Sequence, residues 1–276
     1  MEKYGIEIVG KIGSMALINK EKTALDLARF KRLCAELRPG IVWVSSGATE
    51  IGRLDYIQRA GAELKSANED ENKTDYASQG QAILMQMYRQ YIDARFGVRQ
   101  LLVEHNHFND EVKKLHIRDL LLRASAQKSV PIVNYNDPVS FEENRKMEIQ
   151  ALKKSSSGVV ELVDNDETAA QIACLLRAET LVILTGTDGI YRDPLDKKTL
   201  IPKINGATKD ELLKNIDAAK SLCIGASRKG ANGAGAKLEY IKAPAVHGTK
   251  VIIANAEYPL KEILAGGVPS TVIELG

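Results

Sequence analysis

Two stretches decide the fold class of this chain: Leu-Val-Asp-Asn-Asp-Glu-Thr-Ala-Ala at residues 162–170, and Val-Ile-Leu-Thr-Gly-Thr-Asp-Gly-Ile-Tyr-Arg-Asp-Pro at residues 182–194. The first opens a predicted helix that runs from Glu167 to about Arg177. A continuous apolar strand, Thr180 to Leu184, is predicted next and ends in a turn rich in Thr, Gly and Asp. Because ligands of open α/β sheets bind where strands end and helices begin, this region predicts a ligand site in an α/β protein.

Three carboxylates in this region, those of Asp164, Asp166 and Glu167, would repel an anionic ligand unless cations accompany them. Lys11 is one candidate cation. It stands in Gly-Lys-Ile-Gly at the end of a predicted first strand, Gly5 to Ile12, where glycine permits close approach of the backbone to a ligand. A solvated lysine beside a flexible turn is the alternative for this position.

The totals of the sequence exclude several classes of protein. The 276 residues, of which 44% are hydrophobic, are compatible with one large α/β domain and a sizeable core. A net charge of +2 argues against a nucleic-acid or membrane surface as the main partner. Cys34, Cys174 and Cys223 are odd in number and widely spaced, which predicts buried thiols and no disulfide or zinc framework. With no apolar run that could span a bilayer and no signal-peptide pattern, we expect a soluble, cytoplasmic protein.

Alternating strands and helices are predicted along the rest of the chain. Further predicted strands are 41–44, 98–103, 130–133, 250–254 and 270–275, the last as an edge strand. Further predicted helices are 24–37, 76–94, 110–129, 142–154 and 208–222, with a turn or helix also following Ala48 as far as Gly52. Residues 60–74 are predicted to be a surface excursion. The last helix of this set begins with a capping box, Thr-Lys-Asp-Glu, at residues 208–211.

Small polar residues follow several of these strands. Ser45-Ser46-Gly47-Ala48 could present amides to an oxyanion or could form an ordinary tight turn. Asn134-Tyr135-Asn136-Asp137-Pro138 is a second strand end of this type. His105 and His107 have the spacing of a zinc pair, but no cysteine or carboxylate pattern accompanies them, so we expect no metal role.

Two further segments can contribute to a site. Residues 139–161 include a predicted charged helix and a serine-rich loop at 155–158, and either a mobile flap or a solvated insertion is compatible with them. Residues 225–237 form a glycine-rich stretch that ends in Lys237, where a helix is predicted to begin at Leu238. This stretch is not a Walker A loop, but free amides, a helix start and an ammonium group together predict an anion cradle.

Together these features favour phosphoryl transfer, which requires positioning and charge neutralisation more than covalent chemistry. Lys11 and Lys237 could neutralise the migrating group, Asp166 could hold both ammonium groups, and the amides around Gly13 and Gly47 could bind its oxygens. A carboxylate acceptor, with an ordinary pKa of about 4, is already ionised at neutral pH. Such an acceptor helps to explain why the sequence offers no obvious general base.

The chain resembles the glutamate 5-kinases of the amino-acid kinase superfamily over nearly its whole length. The motifs that carry the resemblance occur in the family's order and are Lys11-Ile12-Gly13-Ser14, Val44-Ser45-Ser46-Gly47-Ala48, Gly80-Gln81, Val130-Pro131-Ile132-Val133-Asn134 with Asn136-Asp137, Asp164-Asn165-Asp166, Asp188-Gly189-Ile190-Tyr191 with Asp193-Pro194, and Gly233 with Gly235-Ala236-Lys237-Leu238.

The resemblance implies an α/β fold, a three-layer αβα sandwich around a mainly parallel central sheet. It implies one domain over residues 1–276, with an acceptor-binding half at about 1–165 and an ATP-binding half at about 166–276. The implied reaction moves the γ-phosphoryl group of ATP onto the side-chain carboxylate of L-glutamate, the first step towards proline. Because the chain ends at Gly276, the resemblance is to forms without the family's C-terminal RNA-binding-like domain.

The resemblance also implies roles for individual residues. Lys11 and Lys237 would be the transition-state lysines, with Asp166 as their organiser. The implied substrate-binding residues are Ser46, Gly47, Ala48, Asn134, Asp137 and Asn165. The implied ATP-binding residues are Lys11, Gly13, Thr185, Asp188, Tyr191, Gly233 and Lys237. Mg²⁺ would arrive with ATP and take no protein side chain as a ligand, and a homodimer or homotetramer is expected.

The chain departs from the family pattern mostly on the acceptor side. The departures are Glu50, Gln79, Tyr135, Val163, Gly186 and a segment 139–161 that is longer than usual. Two alternatives therefore stay open: a kinase of this fold that acts on another small acid or a phosphate monoester such as UMP or isopentenyl phosphate, and a non-catalytic ligand-binding member. Against the second alternative, both lysines and Asp166 are retained.

Overall fold

The computed structural model describes residues 6–19, 24–66, 68–140, 142–155, 158–162, 164–193, 195–223 and 233–276. These residues group into two compact units. The first unit takes the described residues of Met1–Ile12, Gly40–Val44 and Asp166–Gly276, and the second takes those of Gly13–Pro39 and Ser45–Asn165. One junction between the units thus lies between Asn165 and Asp166.

Ten strands are present in the described ranges. They are β1 (Ile8–Ile12), β2 (Ile18–Asn19), β3 (Ala24–Leu25), β4 (Ile41–Ser45), β5 (Gly97–Val103), β6 (Ser129–Tyr135), β7 (Thr180–Thr185), β8 (Lys203–Gly206), β9 (Lys250–Asn255) and β10 (Ser270–Leu275). β2 and β3 pair antiparallel with each other, and β5 pairs parallel with β6, both pairs in the second unit; the other six strands form a mostly parallel sheet in the first unit.

Eleven α-helices are present in the same ranges. They are α1 (Leu27–Glu36), α2 (Ala48–Ala60), α3 (Glu69–Tyr91), α4 (His105–Asn109), α5 (Glu111–Ala126), α6 (Glu142–Ser155), α7 (Asn165–Leu176), α8 (Lys209–Leu222), α9 (Ala234–Tyr240), α10 (Lys242–Val246) and α11 (Leu260–Leu264). Helices flank the mostly parallel sheet, which confirms the predicted α/β class. None of these helices is long and apolar enough to cross a membrane.

In the first unit the strand order is β4-β1-β7-β9-β10-β8. β1, β7 and β9 run parallel, whereas β10 is antiparallel to β9 and parallel to β8. The prediction of β10 as an edge strand was therefore wrong. β8, the outer neighbour of β10, was not predicted, because Ile204 is the only large apolar residue in Lys203–Gly206.

The core of the first unit is built on β7. Leu181, Val182, Ile183 and Leu184 are at most 2% exposed, as expected for a parallel strand covered on both faces. Burying each of these side chains stabilises the fold by roughly 1.5–3 kcal/mol before conformational entropy is subtracted. Because these side chains are packed on both faces of the sheet, the backbone at the end of β7 is held firmly in place.

Several helix starts in the second unit differ from the predictions because of local caps. α1 begins at Leu27, not Ala24, since the Asp26 side chain accepts a hydrogen bond from the amide of Arg29 at 2.9 Å. α3 begins at Glu69, not Tyr76, since Asn68 accepts from the amide of Asp70 at 2.9 Å. The described residues of 60–74 are exposed or half-buried, as predicted for a surface excursion, and the last six of them belong to α3.

The observed end of β6 and the observed start of α8 differ little from the predicted ones. β6 continues through Tyr135, so Asn134 and Tyr135 belong to the strand and not to the turn after it. Thr208 caps α8 by accepting from the amide of Glu211 at 3.2 Å, as the capping box predicts. The carboxylate of Glu211 accepts from the amide of Ala207 at 2.9 Å, one residue before the cap.

α2 and α3 pack through two glycines. A Cβ atom on Gly80 would lie 1.8 Å from the carbonyl oxygen of Ala48, and one on Gly52 would lie 1.8 Å from that of Tyr76. No side chain fits at these distances, so the two helix backbones touch directly. This contact fixes the start of α2, and with it the residues that follow β4.

Replacing Gly80 with alanine should reduce the free energy of unfolding by about 3 kcal/mol, because the added methyl group forces the two helices apart. Urea denaturation would measure the change. Gly267→Ala is the control, since its Cβ would meet nothing closer than the Glu262 carbonyl at 3.7 Å. Equal effects of the two substitutions would contradict the backbone contact.

Candidate functional site

Lys11, Asp166 and Lys237 meet in the first unit, and we call them the lysine–aspartate cluster. The Lys11 ammonium lies 2.5 Å from Oδ1 of Asp166, and the Lys237 ammonium lies 2.8 Å from Oδ2 of the same residue. The Asp166 side chain is 4% exposed, that of Lys11 8% and that of Lys237 20%. The structure thus brings together three residues that are far apart in the sequence.

The sequence around Lys11 explains why this lysine is buried. β1 pairs parallel with β7, so Lys11 lies opposite Ile183 in the sheet. A Cβ atom on Gly10 would lie 2.1 Å from the Trp43 ring, so glycine is required here to admit the indole. The glycine before Lys11 therefore serves packing, and the alternative of a solvated lysine is wrong.

Asp166 is held in its ionised form. Burial alone would raise the pKa of this carboxyl group, but the ammonium groups of Lys11 and Lys237 outweigh burial and leave the pKa below its ordinary value. Asp166 also lies in the first turn of α7, where the helix dipole favours a negative charge. Two ammonium groups around one carboxylate leave one positive charge in excess, which is a favourable environment for an anion.

Lys237 stands on α9, which begins at Ala234 and not, as predicted, at Leu238. Gly233 precedes the helix, and its carbonyl accepts from the amide of Lys237 at 3.3 Å. The lysine is thereby fixed on a helix. The proposed anion cradle falls largely on residues 224–232, which lie outside the described residues.

A second set of polar side chains lies in the second unit, and we call it the amide cluster. Asn165 Nδ2 donates to Asn134 Oδ1 at 2.8 Å and to Ser46 Oγ at 3.1 Å. Asn134 Nδ2 donates to Gln81 Oε1 at 2.8 Å. The backbone amide of Tyr135 donates to both asparagine side chains, at 2.9 and 3.2 Å. These bonds fix the orientation of each side-chain amide at the end of β6.

The glycines and alanine near these polar groups shape the backbone. Gly47 has a φ of +111°, a conformation that favours glycine, and it precedes α2. Ala48 is the first residue of α2 and is 3% exposed. Gly13 precedes a short 3₁₀ turn, Ser14–Ala16, and its carbonyl accepts from the amide of Ala16 at 3.0 Å.

Asp137, two residues after β6, has an unusual carboxyl group. Burial raises its pKa to about 6, and the positive charge of Arg145 only partly opposes that effect. Burial disfavours the ionised form of this group, and a bound cation would stabilise that form. Asp137 is thus suited to hold an ammonium group of a ligand.

Asp188 is the centre of a third polar set, in the first unit at the ends of β7 and β9. Its carboxylate accepts from the Tyr191 hydroxyl at 3.0 Å and from Asn255 Nδ2 at 3.1 Å. Burial, followed by the bond to Asp188, raises the pKa of Tyr191. Thr185 ends β7, and its hydroxyl donates to the carbonyl of Thr187 at 2.8 Å.

The histidine pair does not resemble a metal site. His105 is 2% exposed, and its Nε2 lies 3.0 Å from Glu148. Nδ1 of His107 accepts from the amide of Glu104 at 2.8 Å. In the described ranges no group of three His, Cys, Asp or Glu side chains could hold a metal ion. The cysteines are free thiols; Cys34 is buried as predicted, whereas Cys174 and Cys223 are half-buried.

Two polar residues of these clusters, Gln81 and Asn255, were not predicted to have a role. Gln81 belongs to the motif Gly80-Gln81. Its hydrogen bond with Asn134 depends on how α3 packs, which the sequence does not reveal. Asn255 could have been found, because it directly follows the predicted strand 250–254; in the structure it ends β9, whose parallel neighbour β7 ends at Thr185. The rule that polar residues at strand ends point to a site applies there as well.

Comparison with a solved structure places this fold among known ones. An isopentenyl phosphate kinase of T. acidophilum, solved as a product complex, is similar with a TM-score of 0.56 and 14% sequence identity. The match covers 98% of this chain and 100% of that one. At this identity the likeness shows the fold alone.

Residues 7–255 match the amino acid kinase family, and the chain belongs to this family. A glutamate 5-kinase of Alkaliphilus metalliredigens is 29% identical over 285 residues, which are 98% of this chain and 96% of that protein. A glutamate 5-kinase of Carboxydothermus hydrogenoformans is 30% identical over 276 residues. This match takes in 94% of the chain and 65% of that longer relative.

Proposed function

We propose that this chain transfers the γ-phosphoryl group of ATP to the side-chain carboxylate of L-glutamate and forms L-glutamyl 5-phosphate, the first step of proline biosynthesis. The observation that carries the proposal is the lysine–aspartate cluster, in which the ammonium groups of two lysines contact one buried carboxylate. The relatives named glutamate 5-kinase, which the chain matches over almost its whole length, support this acceptor.

Each member of the lysine–aspartate cluster has a role in this proposal. The ammonium groups of Lys11 and Lys237 bind oxygens of the migrating phosphoryl group and neutralise the charge that spreads over them in the transition state. Asp166 touches both ammonium groups and holds them at fixed positions before ATP arrives. Because their positions are fixed in advance, little reorganisation is needed during the reaction.

The nucleotide is assigned to residues 166–276. Thr185, Asp188 and Tyr191 line its site in this proposal, and the backbone at Gly13 and Gly233 approaches the phosphates. Mg²⁺ would be carried by the phosphates of ATP and would supply further neutralising charge there.

The acceptor is assigned to residues 1–165. Ser46 and the amides of Gly47 and Ala48 bind the reacting carboxylate, while Asn134 and Asn165 of the amide cluster direct their dipoles at the substrate. Asp137 binds the α-ammonium group. No base is needed, because the side-chain carboxylate of glutamate is already ionised at neutral pH.

The proposal extends to properties that stay predictions. We place the protein in the cytoplasm and expect a homodimer or homotetramer, on the strength of the family resemblance. Light scattering on the purified protein would measure the oligomeric state.

If Asp137 binds the α-ammonium group, kcat/KM for L-glutamate should fall about tenfold per pH unit below pH 6. The reason is that the free carboxyl group, with a pKa of about 6, is increasingly protonated there and must lose its proton to bind an ammonium ion. Initial rates between about pH 5 and pH 8 would measure the fall. With glutamate saturating, kcat/KM for ATP should not fall over the same range.

The matching substitution is Asp137→Asn, which should raise KM for glutamate far more than KM for ATP and remove the dependence near pH 6. Equal effects on the two substrates would contradict the placement of Asp137.

A panel of acceptors tests the function itself. ADP release would be measured with L-glutamate, L-aspartate, UMP and isopentenyl phosphate, each with ATP and Mg²⁺. We expect turnover with glutamate and little with the others. Turnover with a phosphate monoester alone would replace the proposed acceptor, and no turnover with any member of a wider panel would favour a ligand-binding role.

A further inference from the structure

α6 is the helix of the segment 139–161, and the role proposed below for one of its residues rests on the proposed function. α6 is held against the rest of the second unit. Ile149 is 6% exposed, and Glu148 lies 3.0 Å from the buried His105. Beyond the helix, Asn109 exchanges two hydrogen bonds with the backbone of Val160, at 2.8 and 2.9 Å. The described residues of the segment are therefore attached to this unit through Glu148, Ile149 and Val160, although most of α6 is exposed to solvent, as predicted for a solvated insertion.

The attachment of α6 places the side chain of Arg145 next to the end of β6. Arg145 lies three and four residues before Glu148 and Ile149, so all three share a helix face. Its guanidinium carbon is 5.7 Å from the centroid of the Tyr135 ring. Tyr135 is the last residue of β6, and its backbone amide bonds to the amide cluster. Arg145 thus reaches the strand end that carries the proposed acceptor residues.

Within the described part of the chain, the guanidinium of Arg145 contacts the Tyr135 side chain and forms no ion pair with a carboxylate. Its side chain is half-buried, and no described carboxylate lies within ion-pair distance of it. Asp137 is close enough to be affected by Arg145, yet its pKa remains raised, as expected for a carboxylate that is not paired with the guanidinium. A separated carboxylate and guanidinium therefore occupy the same strand end.

We propose that Arg145 is a specificity-determining residue that binds the α-carboxylate of the acceptor, while Asp137 binds its α-ammonium group. An α-amino acid carries these two opposite charges on one carbon, and a guanidinium is the side chain best suited to a planar carboxylate. The cation–π contact with the Tyr135 ring helps to keep the guanidinium at this strand end. Selection of a zwitterionic amino acid over a simple carboxylic acid then depends on a helix outside the shared motifs.

The test compares Arg145→Met with the unmodified enzyme on two acceptors. L-glutamate carries the α-carboxylate, whereas L-isoglutamine carries a neutral carboxamide in its place and keeps the side-chain carboxylate. Loss of a charge-assisted pair should lower kcat/KM for glutamate about 10- to 100-fold, mainly through KM. The kcat/KM for isoglutamine should change less than about threefold. The preference for glutamate over isoglutamine should therefore shrink by nearly the whole factor that is lost on glutamate.

Lys146→Met is the matched control, because it removes an equal charge from the next position on the same helix and leaves Arg145 in place. It should change neither acceptor's kinetics. Equal losses on both acceptors, no loss on glutamate, or a comparable loss in Lys146→Met would overturn the role of Arg145 and leave the proposed function intact. Failure of the unmodified enzyme to phosphorylate glutamate would overturn both.

Discussion

Replacing Lys237 with alanine should lower kcat at least about 100- to 1,000-fold while the protein stays folded. Removing one pre-positioned donor from a developing negative charge has an effect of this size in other enzymes. The loss should appear in kcat at saturating ATP and glutamate, because the lysine acts on the transition state more than on the bound substrates. Steady-state kinetics with both substrates varied would measure it.

Lys242→Ala provides the control for Lys237. Both lysine side chains are 20% exposed, and both contact a carboxylate, with Lys242 bound to Asp217 at 2.6 Å and to Glu239 at 2.8 Å. Lys242 has no place in the proposed chemistry, so kcat should remain within a factor of two or so of the unmodified value. Near-normal turnover in Lys237→Ala would remove this residue from the mechanism.

Replacing Asp166 with asparagine should abolish turnover and reduce the free energy of unfolding by about 3–5 kcal/mol. The substitution leaves the ammonium groups of Lys11 and Lys237 together without a carboxylate, and removing one partner of a buried ion pair costs about this much. Urea denaturation at neutral pH, with circular dichroism as the signal, would measure the change.

A second variant separates the electrostatic effect from a general loss of packing. Lys11→Met in the Asp166→Asn background removes one of the uncompensated charges, so stability should be largely regained while turnover stays absent. If the double variant is no more stable than Asp166→Asn alone, charge repulsion is not the cause.

Glu239→Gln is the matched carboxylate control. Glu239 also receives two lysines, Lys220 at 2.6 Å and Lys242 at 2.8 Å, but its side chain is 47% exposed. An exposed pair of this type contributes at most about 1 kcal/mol. A loss as large as that of Asp166→Asn would contradict the importance of burial.

The pH dependence of stability follows from the same carboxylate. Because the pKa of Asp166 is lower in the folded chain than its ordinary value of 3.8, its stabilising contribution is complete above that value. The contribution is lost as the pH falls below 3.8 towards the folded pKa. Asp166→Asn should lack this part of the acid sensitivity.

Much of the fold could be predicted from the pattern of apolar residues. The continuous apolar runs of β4 and β7, together with the helices predicted between the strands, indicated a buried parallel sheet with helical connections. Boundaries were less predictable, because a single side chain such as Asp26 or Asn68 decides where a helix begins. The position of β10 depended on its pairing with β8, which has almost no apolar signal.

The charged residues of the candidate site could be predicted from the need to balance carboxylates with cations. A turn with three carboxylates needs cations, and this requirement led to Lys11 and Lys237 before any contact was known. Partnerships that depend on tertiary packing were not predictable, as with Gln81 and Asn134. Arg145 was missed for a related reason, since only the docking of α6 reveals where its guanidinium points.

The contact between Gly10 and Trp43 has one more consequence. Trp43 is the only tryptophan of the chain, it is 0% exposed, and it lies against the residue before Lys11. Its fluorescence therefore reports on the first unit alone, since the second unit contains no tryptophan. A red shift of the Trp43 emission during denaturation would report when β1 and β4 become exposed to water. Circular dichroism would follow the loss of helices independently.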